Sequence, residues 1–267
     1  MFRAANTITC LALLTASCAT SPMIQPAAIA ELAPTGKVRA AINYGNPILA
    51  TRDPTTGEAR GVSVDLAREL ARRLGVPVDL VTFVAAGKVV DALKAGEVDV
   101  GFVAIDPARA VDISYTKAYV IIEGAYLVSR DSPIRSNGDV DRPGTRVVVG
   151  AQSAYDLYLS RELKHATIVR APTSPAVTDV FIAQRLDVAA GVKQVLEADA
   201  RRVPGLRLLD GRFMVINQAM GTPRGRVAGA KYLTDFVEDM KASGFVAQAL
   251  ARNRIEGAVV APLSAAP

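Results

Sequence analysis

Two short segments of this chain combine residue types that bind anions. Asp106-Pro107-Ala108-Arg109 follows a nearly continuous apolar run, Val98 to Ala104 around Asp99, and opens a turn. An arginine there presents a rigid fork of donors that matches a carboxylate. The same side chain could instead pair with Asp106 or Asp112 as a turn-stabilising surface ion pair, and spacing alone leaves both readings open. Gly150-Ala151-Gln152-Ser153 likewise stands between a strand and a helix. Free N–H groups and the helix dipole make such a start an anion site, and Ser153 doubles as a plain N-cap. Asn43, Tyr44 and Asn46 lie in a third strand-to-helix loop, where their types also suit ordinary turn chemistry. Catalytic chemistry is poorly provided for. His165, the one histidine, sits in Arg-Glu-Leu-Lys-His, which reads as an exposed helix end rather than part of a triad. Cys10 and Cys18 are the only cysteines, so the rest of the chain forms no disulfide and no cysteine-ligated metal site. We expect no catalytic residues, no metal and no cofactor.

The elements that position these residues are legible from periodicity. Val38 to Ile42 is a strand. Ser63 to Leu74 is an amphipathic helix with Ser63 as N-cap, stopped by Gly75 and Pro77. Val78 to Phe83 is a strand, Lys88 to Ala95 a helix ended by Gly96, and Val98 to Ala104 a strand buried on both faces. This βαβαβ order predicts a parallel sheet with right-handed crossovers. After a strand at Ala125 to Ser129 and a polar passage from Asp131 to Gly144, the cycle restarts. It runs through strand Thr145 to Val149, helix Ser153 to Leu163, strand Thr167 to Arg170, helix Pro175 to Gln184 and strand Asp187 to Ala190, with Ser174-Pro175 as cap and first helical residue. Arg207 to Leu209 reads as a short strand. Helices about Gly225 to Lys241 and Phe245 to Arg252 close the chain.

The fold class is therefore α/β with two lobes, each a mostly parallel sheet flanked by helices. The expected division is 37–124 plus 222–267 for the first lobe and 125–221 for the second, inserted one. Two crossing strands, near Glu123–Val128 and Gln218–Thr222, would form a hinge, with a cleft between the lobes.

The 267 residues are half hydrophobic and 21% charged, which is a globular composition. Lys plus Arg number 31 against 26 Asp plus Glu, a scattered surplus of +5 without a basic tail, so nucleic acid is not an expected partner. Met1-Phe2-Arg3 followed by the apolar stretch Ile8 to Ala16 reads as an export signal. Ala16-Ser17-Cys18 resembles a lipobox that would acylate Cys18, making residues 1–18 the signal; the rival is cleavage after Ala30 in Ala28-Ile29-Ala30. Residues 19–36, rich in Ala, Pro, Ser and Thr, read as a tether. Periplasmic or extracytoplasmic location follows, with membrane attachment only through the lipid.

Several ordered pieces carry a family resemblance. They are Gly36-Lys37-Val38-Arg39 leading to Asn43–Pro47, Gly57 to Leu66, Leu74-Gly75-Val76-Pro77, Leu93 to Asp99, Asp106-Pro107-Ala108-Arg109 and Gly150 to Leu159. Over roughly Gly36 to Arg252 the set resembles the type II periplasmic solute-binding proteins, in particular the amino-acid-binding (family 3) group of bacterial ABC importers. The resemblance implies that Arg109 grips a ligand carboxylate, that Gln152 and Ser153 hold it from the second lobe, and that Asn43, Tyr44 and Asn46 line the pocket. It implies a monomer that delivers a small polar solute to an inner-membrane permease. Departures from the pattern bear on the ligand. Val192 stands where many members carry the acid that holds an ammonium, and Lys193 adds positive charge. Ala104 replaces a usual polar residue, and the segment after Arg109 is two residues shorter than usual. Glu123 or Asp106 could supply the missing acid, or the ligand could be a dicarboxylate or other anion. The absence of Trp disfavours a sugar. The alternatives are an enzyme on the same scaffold, a cyclohexadienyl dehydratase with Asp106 or Glu123 as acid, and a sensing module acting through a partner protein.

Overall fold

The computed structural model describes residues 25–264. The segment read as an export signal, with Cys18, lies outside them. The chain runs α1 (Pro26–Leu32), β1 (Val38–Asn43), β2 (Thr51–Arg52), β3 (Ala59–Arg60), α2 (Val62–Leu74), β4 (Val78–Phe83), α3 (Ala86–Lys94), β5 (Val100–Ala104) and β6 (Ile113–Ser129). It continues through β7 (Arg146–Gly150), α4 (Ala154–Glu162), β8 (Thr167–Ala171), α5 (Val177–Ala183), β9 (Val188–Val192), α6 (Lys193–Arg202), β10 (Leu206–Leu208), β11 (Met214–Pro223), α7 (Val227–Ala242), α8 (Phe245–Arg252) and β12 (Val259–Val260). One mixed sheet orders as β4-β1-β5-β11-β6-β9-β7-β8.

At each end of this sheet the strands are parallel: β4-β1-β5 at one end and β9-β7-β8 at the other. Their βα crossovers put helices on both faces, so β1, β5 and β9 read as apolar runs without alternation. All five residues of β5 and of β9 are buried. The antiparallel middle is made by β6 and β11. Along β6 the partner is β11 from Ile113 to Gly124 and β9 from Gly124 to Leu127, so one strand of 17 residues links the two parallel ends of the sheet. The sequence reading placed a strand only at Ala125 to Ser129; the extension back to Ile113 is the main addition.

Three local expectations are corrected. The tether assigned to residues 19–36 holds a helix: α1 buries Ala28 and Leu32. It packs on α7, with Glu31 Oε2 accepting from Gly229 N at 2.7 Å and Arg226 donating to Glu31 O at 2.6 Å. Small, Ala-rich composition marked a linker, but the apolar pair Ala28 and Leu32, one turn apart, is a core-facing stripe. Ala30, the alternative cleavage site, falls inside this helix. Second, α2 begins at Val62, one residue before Ser63. Its N-cap is Gly61 at φ 127°, where a Cβ would sit 2.3 Å from Leu49 O, so the close crossing of two backbone segments requires glycine. Ser63 lies within the helix, its Oγ 3.2 Å from the buried Tyr119 hydroxyl. Third, Thr173 rather than Ser174 precedes the 3₁₀ turn Ser174–Ala176 that leads into α5.

Asp99 explains why a carboxylate interrupts an apolar run. It is fully buried just ahead of β5 and holds two arginines: Arg39 of β1 through Nε at 2.9 Å and Nη2 at 2.8 Å, and Arg226, just before α7, at 2.9 Å. Thr222 at the end of β11 donates to its main-chain carbonyl at 2.9 Å. The network ties β1, β5, β11 and the start of α7 together, segments far apart in sequence.

Candidate functional site

The strand ends converge on one small cavity of about 30 Å³. Asn43 and Asn46 come from the loop after β1, and Ala104 and Arg109 from the end of β5 and the turn beyond it. Ser153 and Tyr155 come from the start of α4, Ser174 precedes α5, Val192 ends β9, and Ile216 and Gln218 come from β11. In an open α/β sheet, the carboxyl ends of parallel strands are where ligands bind. A second cavity adjoins this one. It shares Gly45, Tyr155, Ser174 and Val192, and is otherwise lined mainly by apolar groups such as Pro47, Val177, Val195 and Leu196, together with Asp199 and Thr178.

Arg109 dominates the site. It is 4% exposed. Neither acid suggested as its ion-pair partner engages it: Asp106 pairs with Arg161 at 2.8 Å, and Asp112 with Lys94 at 3.0 Å. Among the described residues no carboxylate lies within ion-pair distance of Arg109. Its guanidinium donates only to carbonyls, Nη1 to Ala104 O at 3.0 Å and Nη2 to Gln152 O at 2.7 Å. Burial pushes its pKa below the ordinary arginine value, yet arginine stays charged at any working pH. The neighbouring Tyr115 hydroxyl also donates to Ala104 O, at 3.3 Å, and burial raises its pKa to about 12. A buried cation with no carboxylate in direct contact, facing a cavity, is a site that an anion completes.

The opposite wall is the start of α4. Ser153 is its N-cap, with Oγ accepting from Asp156 N at 3.0 Å. Asp156 is itself buried and takes Gln152 N at 2.8 Å and Arg170 Nε at 3.0 Å. One of the N–H groups expected to meet a ligand anion is thus occupied by a carboxylate of the protein. The Ala154 and Tyr155 N–H groups, first in the helix and lining the cavity, have no intrahelical partner by position. Gln152 adopts φ 56°, a left-handed backbone that costs a non-glycine residue about 1–2 kcal/mol. That reversal aims its N–H at Asp156 and its carbonyl at Arg109.

Contacts between the lobes are direct. Arg109 reaches Gln152 O, and Arg161 of α4 reaches Asp106. Gly87 of α3 faces Gln152 so closely that a Cβ there would lie 1.8 Å from Oε1 and 2.8 Å from Cβ of that side chain. The molecule is therefore described in a closed conformation.

Of the residues singled out from sequence, Asn43, Asn46, Ala104, Arg109, Ser153 and Val192 line the cavity. Asn43 Oδ1 is committed to Gly45 N at 2.9 Å, which shapes the loop. Gln152 is exposed and meets Arg109 through its main chain. Tyr44 packs against the core instead of lining the cavity. Asp106, Glu123 and Lys193 do not line it either. Glu123 accepts from Arg212 at 2.5 Å and from Lys193 at 3.2 Å, and these cations hold its carboxyl below the ordinary glutamate range. Sequence reasoning missed Tyr155, Ser174, Ile216 and Gln218 as lining residues. Gln218 had a signal, a polar residue within the apolar stretch of β11.

The model of the bacterial extracellular solute-binding proteins, family 3, matches residues 38–253, and the chain belongs to that family. It is similar to the glutamine-binding protein of Geobacillus stearothermophilus, 21% identical over 204 residues, 75% of this chain and 78% of that protein. Its fold is similar to the solute receptor for L-cysteine of Neisseria gonorrhoeae, with TM-score 0.74 and 18% identity over 86% of this chain and 94% of that one. It is also similar to an ancestral amino acid-binding protein described as a precursor of cyclohexadienyl dehydratase, with TM-score 0.71 and 20% identity over 84% and 98% of the two chains. The two-lobed periplasmic-binding fold is thus the fold of this chain. No helix among the described residues is long and apolar enough to cross a membrane.

Proposed function

We propose that the protein is the extracytoplasmic solute-binding component of an ABC importer. Two lobes, 37–124 with 222–267 and 125–221, close around a small carboxylate-bearing solute, with β6 and β11 as the hinge. The helix α1 belongs to the first lobe through its packing on α7. The observation that carries this reading is Arg109: buried, positively charged, at the strand ends, and without an acidic partner. Its fork would take the solute's carboxylate, displacing the Gln152 carbonyl, while Ala154 N and Tyr155 N approach from the second lobe. Contacts to both lobes exist only when the cleft is shut, so the solute stabilises the closed state over the open one. Export, a possible lipid on Cys18, a monomeric state and an inner-membrane permease as partner are parts of the same proposal.

A dehydratase would need a carboxylic acid kept protonated in the cleft. Glu123 is shifted the opposite way by Arg212 and Lys193, and Asp106 is engaged by Arg161, so binding without turnover is the reading the geometry favours. The test is thermal unfolding of the refolded full chain with carboxylates, amino acids, polyamines and sugars. A ligand at 100 times its Kd adds about 2.7 kcal/mol. A midpoint rise with carboxylates that disappears in Arg109→Ala is expected; no rise with any compound would overturn the proposal.

A further inference from the structure

The binding reading leaves the solute's second functional group open, and the charge inventory of the cleft narrows it. Arg109 is the only charged side chain among the residues lining the main cavity. The other polar groups there are neutral: Asn43, Asn46, Gln218, the hydroxyls of Ser153, Tyr155 and Ser174. Four carboxylates near the cavities are each paired with an arginine. Asp106 takes Arg161 at 2.8 Å, and Glu123 takes Arg212 at 2.5 Å. Asp156 takes Arg170 at 3.0 Å, and Asp199, which lines the adjoining cavity, takes Arg202 at 2.9 Å as well as the Thr178 hydroxyl at 2.6 Å. A zwitterion placed against Arg109 would bring its ammonium into a cavity whose lining carries no carboxylate. A monoanion brings it to neutrality, the arrangement that a low-dielectric site favours.

A second, independent observation specifies what accompanies the anion. Asn46 is 8% exposed and lines the cavity, and its Oδ1 is buried with no hydrogen-bond partner. Buried acceptors are almost always satisfied, so this one awaits a donor. The adjoining cavity, about 10 Å³, is lined by Pro47, Val177, Val195 and Leu196 beside Thr178 and Asp199, so it takes only a small apolar group.

Resting on the solute-binding function argued above, we infer that the cleft is built for a small monocarboxylate bearing an uncharged hydrogen-bond donor and an apolar tail, a 2-hydroxy acid in chemical class, and discriminates against the α-amino acid of the same shape. The carboxylate meets Arg109, the hydroxyl donates to Asn46 Oδ1, and the tail enters the apolar arm.

The test compares isosteric pairs by calorimetry on the refolded full chain: lactate with alanine, 2-hydroxyisovalerate with valine, and 2-hydroxyisocaproate with leucine. The corresponding 2-oxo acids, which lack the donor, form a third series. The hydroxy acid of the best pair should bind about tenfold tighter or more than its amino acid, because the ammonium has no counter-charge. The oxo acid should bind more weakly than the hydroxy acid. Asn46→Asp, nearly isosteric, places an acid in the cavity and should reverse the preference toward the amino acid. Equal or tighter binding of the amino acid to the unaltered protein overturns this inference and leaves the solute-binding function intact. Binding by no member of the three series also overturns it. In that case an Arg109-dependent midpoint shift with dicarboxylates or aromatic acids would preserve the parent reading, and no shift with any carboxylate would refute both.

Discussion

Replacing Arg109 by methionine should make the ligand-free protein at least as stable while removing its ability to bind. Arg109 is 4% exposed and its charge has no carboxylate partner. Desolvating such an ion costs several kcal/mol, and the two hydrogen bonds it donates to carbonyls return about 1.5–3 kcal/mol each. Little would be left unsatisfied after the exchange. Ala104 O keeps the Tyr115 hydroxyl at 3.3 Å, and Gln152 is exposed, so its carbonyl turns to water. Methionine fills most of the vacated volume with adaptable apolar atoms. Exchange of buried ions for apolar residues of similar size is commonly neutral or stabilising by about 1–4 kcal/mol. For a chain of this length each kcal/mol moves the midpoint by about 2–4 °C. Scanning calorimetry of the refolded protein should therefore show an unchanged or higher midpoint, up to about 10 °C higher, for Arg109→Met. The same variant should lose the ligand-induced rise. A ligand-free midpoint lower by more than about 3 °C would refute the reasoning, because it would make Arg109 a structural member of the fold. Survival of the ligand-induced rise would refute its role in the site.

Further outcomes follow from the same contacts. Gly87→Ala adds a methyl where α3 meets Gln152 in the closed molecule; the helix itself gains up to about 1 kcal/mol, so the variant should unfold no earlier yet bind its solute at least several-fold more weakly by calorimetry. Asp99→Asn breaks the buried arginine–carboxylate network and should lower stability by about 3–5 kcal/mol in urea unfolding, with a much smaller loss marking the network as incidental. Acid should destabilise the protein in a defined window. Glu69, bonded by Arg72 and Arg73, and Asp141, which accepts the Ala166, Lys164 and His165 N–H groups, both sit at about 2 when folded. Carboxyls depressed in the folded state bind protons more readily unfolded, so their stabilisation is complete above about pH 5 and lost as pH falls toward 2. The midpoint should fall across that range, and less steeply in Asp141→Asn. An equal slope would remove Asp141 from the account.

The sequence by itself determined the two parallel βαβα units, because their strands are buried on both faces and their helices carry one apolar stripe. β5 and β9 could be read as continuous apolar runs, and α8 was placed at its observed bounds, Phe245–Arg252. The position of these residues at strand ends also pointed to Arg109 and to the start of α4. Elements without a local signature were not legible. The front of β6, Ile113 to Gly124, alternates polar and apolar residues only loosely, and its strand state comes from pairing with β11, which arrives about a hundred residues later. The helix α6 fully buries only Leu196, with Val195 and Ala200 partly buried beside it, so its apolar face is short. The helix α1 looked like linker until α7 supplied the surface that Leu32 fills. The site divides in the same way. Residue type marked Arg109 as an anion ligand, whereas its lack of a partner could be known only when Arg161 claimed Asp106 and Lys94 claimed Asp112. Sequence proximity suggested the local pairs, but the contacts that win are set by which side chains the folded backbone brings within a few ångströms. Burial, charge balance and the unpaired Asn46 oxygen are properties of that three-dimensional arrangement, and it is they that decide what the cleft can hold.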